Sequence, residues 1–450
     1  MPVHDSILDT VGRTPLVRLD EVVAEGPEVL AKVESFNPGG SVKDRIGRSM
    51  IEAAEEAGDL EPGGTIVEST SGNTGIGLAI AATQMGYDVV FTMPDKMAVE
   101  KERMLRAYGA DVIRCPTGVE AEDPRSYYSV AERMAEDLDN AIYVNQYYNE
   151  ANPEAHVRST GPEIWEATDG EVTHFVAGVG TGGTISGTSR FLKDQDPSLT
   201  TIGVDPEGSI LAHKHETGET EPDLAEPYLT EGIGEDLVPS TVWFEEIDEF
   251  VRTDDEESFA MARRLAKEEG ILNGSSCGSA VVGVNRAIEQ GLIDDDATVV
   301  VILPDTGERY LSTAYDEAWL RGKGLIEPAE TVGEAAATPI PKVTPDDGLE
   351  AILRVAQARE VPSVPVVEDD EVLGLVVLDE VYGELLQSTR PRERNAHQLA
   401  SQTPPSVDAD TPLGSAVATL SKEHTLVVTD EGTPHGLLTR EAALRHMGRL

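Results

Sequence analysis

The sequence lacks three features that would each define a class of protein. Its 450 residues contain two cysteines, Cys115 and Cys277, which are too few for a disulfide framework and lack the spacing of metal ligands. No run of about eighteen apolar residues is present, and the N-terminus has no basic segment followed by an apolar one. The sequence therefore predicts a soluble, cytoplasmic protein with no metal site and no membrane contact.

Basic residues are also scarce. The chain has 35 Lys and Arg against 83 Asp and Glu, which gives a net charge of −48. The acidic residues are spread over the whole length and interrupt well-patterned segments, so they do not indicate a disordered acidic tail. Such a surface repels phosphates, which argues against a nucleic-acid partner. Because high salt screens this self-repulsion, we hypothesise a halophilic protein.

The length predicts two or three domains. Residues 29–310 alternate short β-rich runs with amphipathic helical segments. Examples of the runs are "VLAKVESF", "GTIVEST", "YDVVFTMP", "DVIRCP", "THFVAGVG", "TTIGVDP" and "TVVVILPDTG". This alternation predicts an α/β fold with a mostly parallel sheet, helices on both faces, and ligands beyond the carboxyl ends of the strands.

The pattern changes after residue 326. Residues 1–326 are predicted to form the catalytic domain, and the Ala-, Glu- and Pro-rich residues 327–335 a linker. Two weakly similar units follow at 336–390 and 391–450, each with the order helix, strand, tight turn, strand, helix. A repeat of this size indicates two copies of one small module packed together.

Three glycine-rich segments are predicted at strand-to-helix junctions. They are "STSGNTGIG" at 69–77, "GVGTGGTISG" at 178–187 and "NGSSCGSA" at 273–280. Small residues there let backbone N–H groups and a helix N-terminus approach an anion closely. Each segment by itself is as consistent with a simple tight turn.

Lys43, in "NPGGSVKDRIG", is predicted to lie in the first turn of a helix. A cation at that end opposes the helix dipole, which makes it a poor place for a solvated lysine. A lysine whose charge is disfavoured is a better nucleophile and forms imines more readily. An imine-forming lysine combined with an anion cradle fits pyridoxal 5'-phosphate.

The motifs "NPGGSVKDR", "TSGNTGIGLA", "GVGTGGTI" and "GIGEDLVP" occur in this order over about residues 5–325. They resemble the fold-type II pyridoxal-phosphate enzymes of the cysteine synthase/cystathionine β-synthase family. The segments "PDKMAVEKERMLRAYGADVIRCPTG", "IGVDPEGSIL" and "EGIGEDLVPSTV" are more similar to the cystathionine β-synthase branch than to the O-acetylserine sulfhydrylases. The resemblance implies two doubly wound parallel-sheet subdomains, and the C-terminal repeats resemble a tandem pair of regulatory CBS modules.

The resemblance also implies which residues bind the cofactor. Lys43 is expected to be the catalytic, Schiff-base lysine. Asn73 is expected to hydrogen-bond the phenolic oxygen of the cofactor, and Ser276 to contact its pyridine nitrogen. The phosphate is expected to bind the loop formed by Gly180, Thr181, Gly182, Gly183 and Thr184.

Substrate residues follow from the same resemblance. The carboxylate of the amino acid is expected at Thr70, Ser71, Thr74 and Gln146. Tyr147 and Glu231 correspond to the second-substrate pocket. By residue type alone, Gln146 and Tyr147 could be ordinary polar and packing residues of a loop, and Glu231 a surface carboxylate. Glu235 stands where cystathionine β-synthases commonly have an aromatic residue, which alters the shape and charge of the homocysteine pocket. Cys277 has no basic neighbour and is expected to be inert.

The implied activity is a β-replacement that condenses L-serine with L-homocysteine to L-cystathionine. An alternative is the synthesis of cysteine from O-acetylserine or serine and sulfide. The first half-reaction is shared, so the motif residues cannot separate the two. A minor alternative is a non-catalytic sensor of adenosyl ligands, against which the retention of Lys43, Asn73 and Ser276 argues.

Paired CBS modules typically bind adenosyl ligands through a Thr or Ser and an Asp three residues later. Val377 and Glu380 occupy these places in the first repeat, and Thr439 and Ala442 in the second. The missing carboxylate predicts weak adenosyl binding at most, with a role in assembly and autoinhibition. The chain begins without the haem-binding segment of animal members, so no haem is expected. The family is usually a homodimer or a larger homo-oligomer.

Overall fold

The structure is a computed structural model of the chain. It describes residues 3–70, 72–95, 99–119, 123–387, 394–400, 405–423 and 425–448. These form two compact units, Met1–Ala314 and Tyr315–Leu450, here called the N-terminal unit and the C-terminal unit. No helix within these ranges is long and apolar enough to cross a membrane.

Two sheets form the framework of the N-terminal unit. Their strands are β1 Leu16–Arg18, β2 Glu28–Val33, β3 Thr65–Ser69, β4 Asp88–Pro94, β5 Asp111–Cys115, β6 Ala141–Tyr143, β7 His174–Gly178, β8 Thr200–Pro206, β9 Glu249–Thr253 and β10 Thr298–Leu303. One sheet has the order β1-β2-β10-β7-β8-β9 and the other β5-β4-β3-β6. All pairings are parallel except that of β1 with β2.

Helices connect these strands and cover the sheets. They are α1 Lys43–Ala57, α2 Asn73–Met85, α3 Val99–Ala107, α4 Tyr127–Asp137, α5 Ala151–Arg158, α6 Thr160–Ala167, α7 Gly183–Gln195, α8 Leu211–Thr217, α9 Asp255–Glu268 and α10 Ser275–Glu289. On β10, Val299 and Val301 pack into a core with Val281 of α10, whereas Val300 and Ile302 face a second core. A strand with both faces buried is apolar throughout, as the run "TVVVIL" is. The predicted α/β class is therefore confirmed.

Each of the seven predicted β-rich runs contains a strand, whereas β1, β6 and β9 were not predicted. The prediction for "NGSSCGSA" was partly wrong, because this segment follows α9 and joins two helices. Its backbone is fixed by irregular contacts and not by a sheet ladder. Two hydrogen bonds replace the ladder here. The Asn273 side chain donates to the carbonyl of Ile271, and the Gly307 N–H donates to the carbonyl of Leu272.

Glycines bring α1 and α2 into backbone contact. A Cβ on Gly47 would lie 2.5 Å from the Gly77 carbonyl, and a Cβ on Gly77 would lie 2.5 Å from the Lys43 carbonyl oxygen. Any side chain at either position would therefore force the helices apart. Because α1 begins at Lys43 and α2 at Asn73, this contact fixes the two residues relative to each other.

The C-terminal unit contains the predicted repeat of helix, strand, strand and helix. Its helices are α11 Glu317–Gly322, α12 Val332–Ala335, α13 Leu349–Arg359, α14 Leu378–Gln387, α15 Ala396–Leu399, α16 Leu413–Leu420 and α17 Arg440–His446. Its strands are β11 Ser363–Glu368, β12 Glu371–Val377, β13 Ser406–Asp408, β14 Thr425–Asp430 and β15 Thr433–Thr439. In each repeat the two central strands are antiparallel, and the buried hydroxyls of Ser363 and Thr425 hydrogen-bond at 2.9 Å between the repeats.

Candidate active site

A cavity of about 640 Å³ lies beyond the carboxyl ends of β3, β4 and β10 in the N-terminal unit. This is where ligands bind in parallel α/β sheets. The predicted site residues that line it are Lys43, Thr70, Asn73, Thr74, Gln146, Tyr147, Thr181, Glu231, Glu235 and Ser276. Ser71 lies outside the described residues. Residues from many separate segments of the sequence thus meet in one place.

Four helices begin at this cavity: α1 at Lys43, α2 at Asn73, α7 beside Thr181, and α10 beside Ser276. Within the described residues, no side chain caps the N-terminus of α2, α7 or α10, whereas the Ser41 hydroxyl accepts from the Lys43 N–H of α1 at 3.3 Å. By contrast, Asp254 caps α9, which begins elsewhere. Uncapped N–H groups and the positive ends of helix dipoles attract anions. The cavity therefore fits a ligand that carries a phosphate and a carboxylate.

Lys43 is the first residue of α1, as the sequence predicts. The Val42 N–H donates to the Pro304 carbonyl at 2.8 Å, which ties the start of the helix to the end of β10. Burial lowers the pKa of the Lys43 amine, and the carboxyls of Asp305 and Glu235 oppose this. A lysine with a lowered pKa has more of its amine neutral at physiological pH, which is what a nucleophilic lysine requires.

A buried ionic network anchors the first turn of α1. The Arg45 guanidinium donates to Glu34 at 2.7 Å and to Glu163 at 2.8 Å. The amine of Lys32, which is 1% exposed, also pairs with Glu163 at 2.7 Å. Buried charges are tolerated when they are paired in this way, and removal of one partner is strongly destabilising. The network therefore holds the helix that presents Lys43.

Asn73 belongs to a polar cluster that the sequence analysis missed. Its Nδ2 donates to Asp305 at 2.9 Å, its Oδ1 accepts from Arg309, and the Tyr310 hydroxyl donates to Asp305 at 2.6 Å. An amide group has two N–H donors, so Asn73 keeps one for a ligand oxygen. Asp305 follows the buried strand β10, and this position at the end of a parallel strand was a signal that could have revealed it.

The predicted phosphate loop is packed tightly on its outer side. Gly182 has a φ of +84°, and a Cβ there would lie 2.3 Å from Cγ2 of Val242. A Cβ on Gly183 would lie 1.9 Å from Oδ1 of Asn152. The fold itself thus requires both glycines. A substitution at Gly182 would strain the backbone whether or not a phosphate binds, so it is a poor test of the loop.

Polar side chains continue around the cavity. The Thr74 hydroxyl donates to Oε1 of Gln146 at 2.6 Å, which leaves the amide N–H groups of Gln146 available to a carboxylate. Ser276 is 3% exposed and lines the cavity. A hydroxyl at a cavity wall fits a ligand nitrogen or oxygen. Cys277, next to it, is fully buried, and burial raises its pKa well above the usual value.

The opposite wall carries the residues of the predicted second-substrate pocket. Glu231 is exposed and forms an ion pair with Lys101 of α3, a cavity residue that the sequence analysis also missed. Glu235 is half-buried. Burial and the neighbouring Asp236 raise the pKa of its carboxyl to about 8, although a hydrogen bond from Tyr147 and the charge of Lys43 oppose this shift. Within the described ranges, no group of three or more potential ligands could hold a metal ion.

Comparisons with known proteins agree with this site. Residues 7–305 match the family described as "Pyridoxal-phosphate dependent enzyme", and residues 332–386 and 396–449 each match the "CBS domain". Cystathionine beta-synthase of Mus musculus is 40% identical over 443 residues, which cover 94% of this chain and 77% of that protein. The enzyme of Saccharomyces cerevisiae is 37% identical over 415 residues, which cover 84% and 81%.

Solved structures are similar to the N-terminal part of the chain. The crystal structure of O-ureido-L-serine synthase has a TM-score of 0.64 and 38% identity, and the match covers 70% of this chain and 96% of that one. A hydrogen sulfide-producing enzyme from Fusobacterium nucleatum has a TM-score of 0.64 and 33% identity, with 69% and 99% covered. Each match covers nearly all of the solved chain and leaves about 30% of this chain outside it.

The fold and the cavity define a pyridoxal-phosphate dependent enzyme of fold type II. Within that class the chain belongs to the cystathionine beta-synthase family, because the similarity runs through the N-terminal unit and the CBS domains alike. The predicted cofactor, pyridoxal 5'-phosphate, is thereby confirmed.

Proposed function

We propose that this protein condenses L-serine with L-homocysteine to give L-cystathionine and water. The observation that carries the proposal is the similarity to cystathionine beta-synthases over 94% of the chain. The cavity supports it, because Lys43, Asn73 and Ser276 line one space.

The cavity residues fit pyridoxal 5'-phosphate. The Lys43 amine would hold its carbonyl carbon, the free N–H of Asn73 its phenolic oxygen, and the Ser276 hydroxyl its pyridine nitrogen. The uncapped N-terminus of α7 would hold its phosphate. When bound, the cofactor supplies an electron sink that activates the α- and β-carbons of an amino acid.

The residues of this chain orient the substrate and transfer its proton. Thr74 and Gln146 orient the substrate carboxylate, and the uncapped start of α2 adds N–H donors beside them. The Lys43 amine, once free, is placed to take the proton from the α-carbon. Ser276 is uncharged and would leave the pyridine nitrogen of the cofactor unprotonated, which would favour replacement at the β-carbon over reactions that need a stronger electron sink.

A second candidate is cysteine synthesis from sulfide and O-acetylserine or serine. The observation that favours it is Glu235, which lines the cavity where the family commonly has an aromatic residue. A pocket without that ring has less apolar surface to hold the side chain of homocysteine. The two solved relatives also carry names that point to other nucleophiles or products.

Product analysis by mass spectrometry separates the two candidates. The holoenzyme is given serine or O-acetylserine together with equal concentrations of homocysteine and sulfide. We expect cystathionine as the main product from serine, with kcat/KM for homocysteine above that for sulfide. Cysteine as the main product under all conditions would favour the second candidate.

The C-terminal unit has its own proposed role in assembly and autoinhibition. In the second repeat the Thr439 hydroxyl accepts a hydrogen bond from the Ala442 N–H at 3.1 Å and so caps α17. The threonine is therefore engaged by the helix, and the carboxylate expected beside it is missing. This supports weak binding of adenosyl ligands at most. Homodimers or larger homo-oligomers remain our proposal for the assembly.

The acidic composition supports a further part of the proposal, a salt-rich cytoplasm as the working environment. A net charge of −48 produces strong self-repulsion in dilute buffer. We expect the melting temperature to rise between 0.1 M and 2 M KCl. A melting temperature that does not change over this range would contradict salt adaptation.

A further inference from the structure

Glu235 is held rigidly at the wall of the cavity. Its N–H donates to the Ser209 hydroxyl at 3.0 Å, and its carbonyl accepts from the Ile210 N–H at 3.1 Å. The preceding residue, Gly234, has a φ of +76° and donates to the Val179 carbonyl at 2.7 Å. The backbone that presents this carboxyl is therefore fixed on both sides. Its side chain lines the same cavity as Lys43 and Tyr147.

Few groups near Glu235 can neutralise its charge. The titratable groups that interact electrostatically with Glu235 come from several elements of the N-terminal unit. They are Lys43, Tyr127, Tyr128, Tyr147, Asp205, Tyr228 and Asp236. Lys43 is the single cation among them, and the cofactor would occupy its amine. Two of the others are acids, and four are tyrosines whose pKa values are themselves raised by burial.

Such surroundings keep the carboxyl protonated at neutral pH. Its pKa of about 8 lies close to the usual value of about 8.5 for a thiol. A group whose pKa matches both the working pH and the pKa of its partner is suited to general acid–base catalysis. Phenylalanine or tryptophan at this position could not exchange a proton, and tyrosine has a usual pKa of about 10, further from that of the thiol.

We propose that Glu235 is a proton-carrying catalytic residue on the nucleophile side of the reaction, an inference that rests on the proposed function. The protonated carboxyl gives its proton to the hydroxyl of serine as the Cβ–O bond breaks, and water leaves. The resulting carboxylate takes the proton from the thiol of homocysteine as the S–Cβ bond forms. The cycle thus consumes serine and thiol, releases water and restores the protonated Glu235.

The choice of amino-acid substrate, serine or O-acetylserine, distinguishes this catalytic role of Glu235 from a merely structural one. The hydroxide of serine is a poor leaving group and needs a proton, whereas the acetate of O-acetylserine does not. A thiol needs a base at neutral pH but ionises by itself at alkaline pH. Glu235→Gln keeps the size of the side chain and removes both proton transfers. Its effect on turnover must therefore depend on the amino-acid substrate and on pH.

The test compares wild type with Glu235→Gln and with Glu249→Gln, which makes the same change at an exposed position on β9. For Glu235→Gln we expect kcat with serine and homocysteine to fall at least about hundredfold at pH 7.5, and turnover of O-acetylserine at pH 9.5 to fall less than about fivefold. In the wild type, kcat/KM with serine should decline above about pH 8, and this decline should be absent in the variant.

An infrared pH titration of the holoenzyme provides a readout that does not depend on turnover. We expect the carbonyl band of protonated carboxyls to lose intensity near pH 8 in the wild type and in Glu249→Gln, and to lose less in Glu235→Gln. The change that remains in the variant comes from other buried carboxyls such as Glu68, whose pKa burial also raises to about 8. Equal losses with both donors and an unchanged titration would overturn the role of Glu235 while leaving the proposed function intact. Absence of β-replacement by the wild type with every donor and nucleophile would overturn both.

Discussion

The two units of this protein differ in how they treat buried polar groups. The N-terminal unit buries ionisable side chains close to its cavity, among them Arg45, Glu68 and Asp305. In the described part of the C-terminal unit, the buried polar side chains are the two hydroxyls of Ser363 and Thr425, which satisfy each other. Burial of a charge costs free energy unless the charge is paired. The difference indicates that the ionisable groups suited to catalysis are concentrated in the N-terminal unit, whereas the described interior of the C-terminal unit is mainly apolar.

The largest effect is expected from removal of the cavity lysine. Lys43→Ala should reduce turnover at least about a thousandfold and abolish the visible absorbance of the bound cofactor, because it removes both the attachment point and a proton-transfer group. Lys267→Ala, at an exposed position of α9, is the matched control and should retain both properties. A visible band that survives dialysis in Lys43→Ala would show that another amine holds the cofactor.

The ionic network beneath α1 should dominate stability. Glu34→Gln leaves Arg45 buried without its full complement of charge, and we expect a loss of roughly 3–5 kcal/mol in the free energy of unfolding. The control is Glu350→Gln, which breaks an exposed i,i+4 pair with Arg354 in the C-terminal unit and should not shift the denaturation midpoint. Similar midpoints for the two variants would remove the contrast between the units.

Cofactor affinity offers a finer comparison along one helix. Ser276→Ala should weaken the binding of pyridoxal 5'-phosphate by about fivefold to tenfold, the value of one hydrogen bond to the ring. Ser279→Ala, also on α10, breaks a buried hydroxyl pair with Thr253 at 2.6 Å and should lower stability without changing the affinity. Equal cofactor dissociation constants for the two variants and the wild type, from fluorescence titration of the apoenzyme, would remove Ser276 from the site.

An affinity change of similar size is expected in the C-terminal unit. Ala442→Asp restores a carboxylate three residues after Thr439, and calorimetry should show S-adenosylmethionine binding about tenfold tighter than in the wild type, the value of a charge-assisted hydrogen bond. Ala443→Asp is not a usable control because that residue is buried, so Glu441→Asp serves instead. Submicromolar binding by the wild type would show that the second repeat needs no such carboxylate.

The sequence predicted the parts of the fold and the site that local patterns encode. The strand β10 is a continuous apolar run after its first residue, and the glycine-rich motifs lie at the starts of α2 and α7. By contrast, β1 and β6 have three residues each, which is too short to show the alternation of apolar and polar residues that identifies a strand. The segment before α10 has the composition of a strand-to-helix turn but follows a helix, and composition alone cannot reveal that.

Site residues without a motif of their own were missed. Arg309 and Lys101 line the cavity, and Asp305 holds the cavity residue Asn73. Only the packing of the sheets and helices brings these residues together. Glu235 was identified by its place in a motif, as a residue that alters the shape and charge of the pocket. Its raised pKa depends on burial among residues that are distant in the sequence.

The most direct test of the account is to find which lysine carries the cofactor. Two lysines, Lys43 and Lys101, line the described cavity, and they lie on different helices. Reduction of the holoenzyme with borohydride, followed by proteolysis and mass spectrometry, fixes the pyridoxyl group where it was bound. The account predicts a pyridoxyl group on the peptide that contains Lys43. A pyridoxyl group on Lys101, or on a lysine outside the cavity, would contradict it.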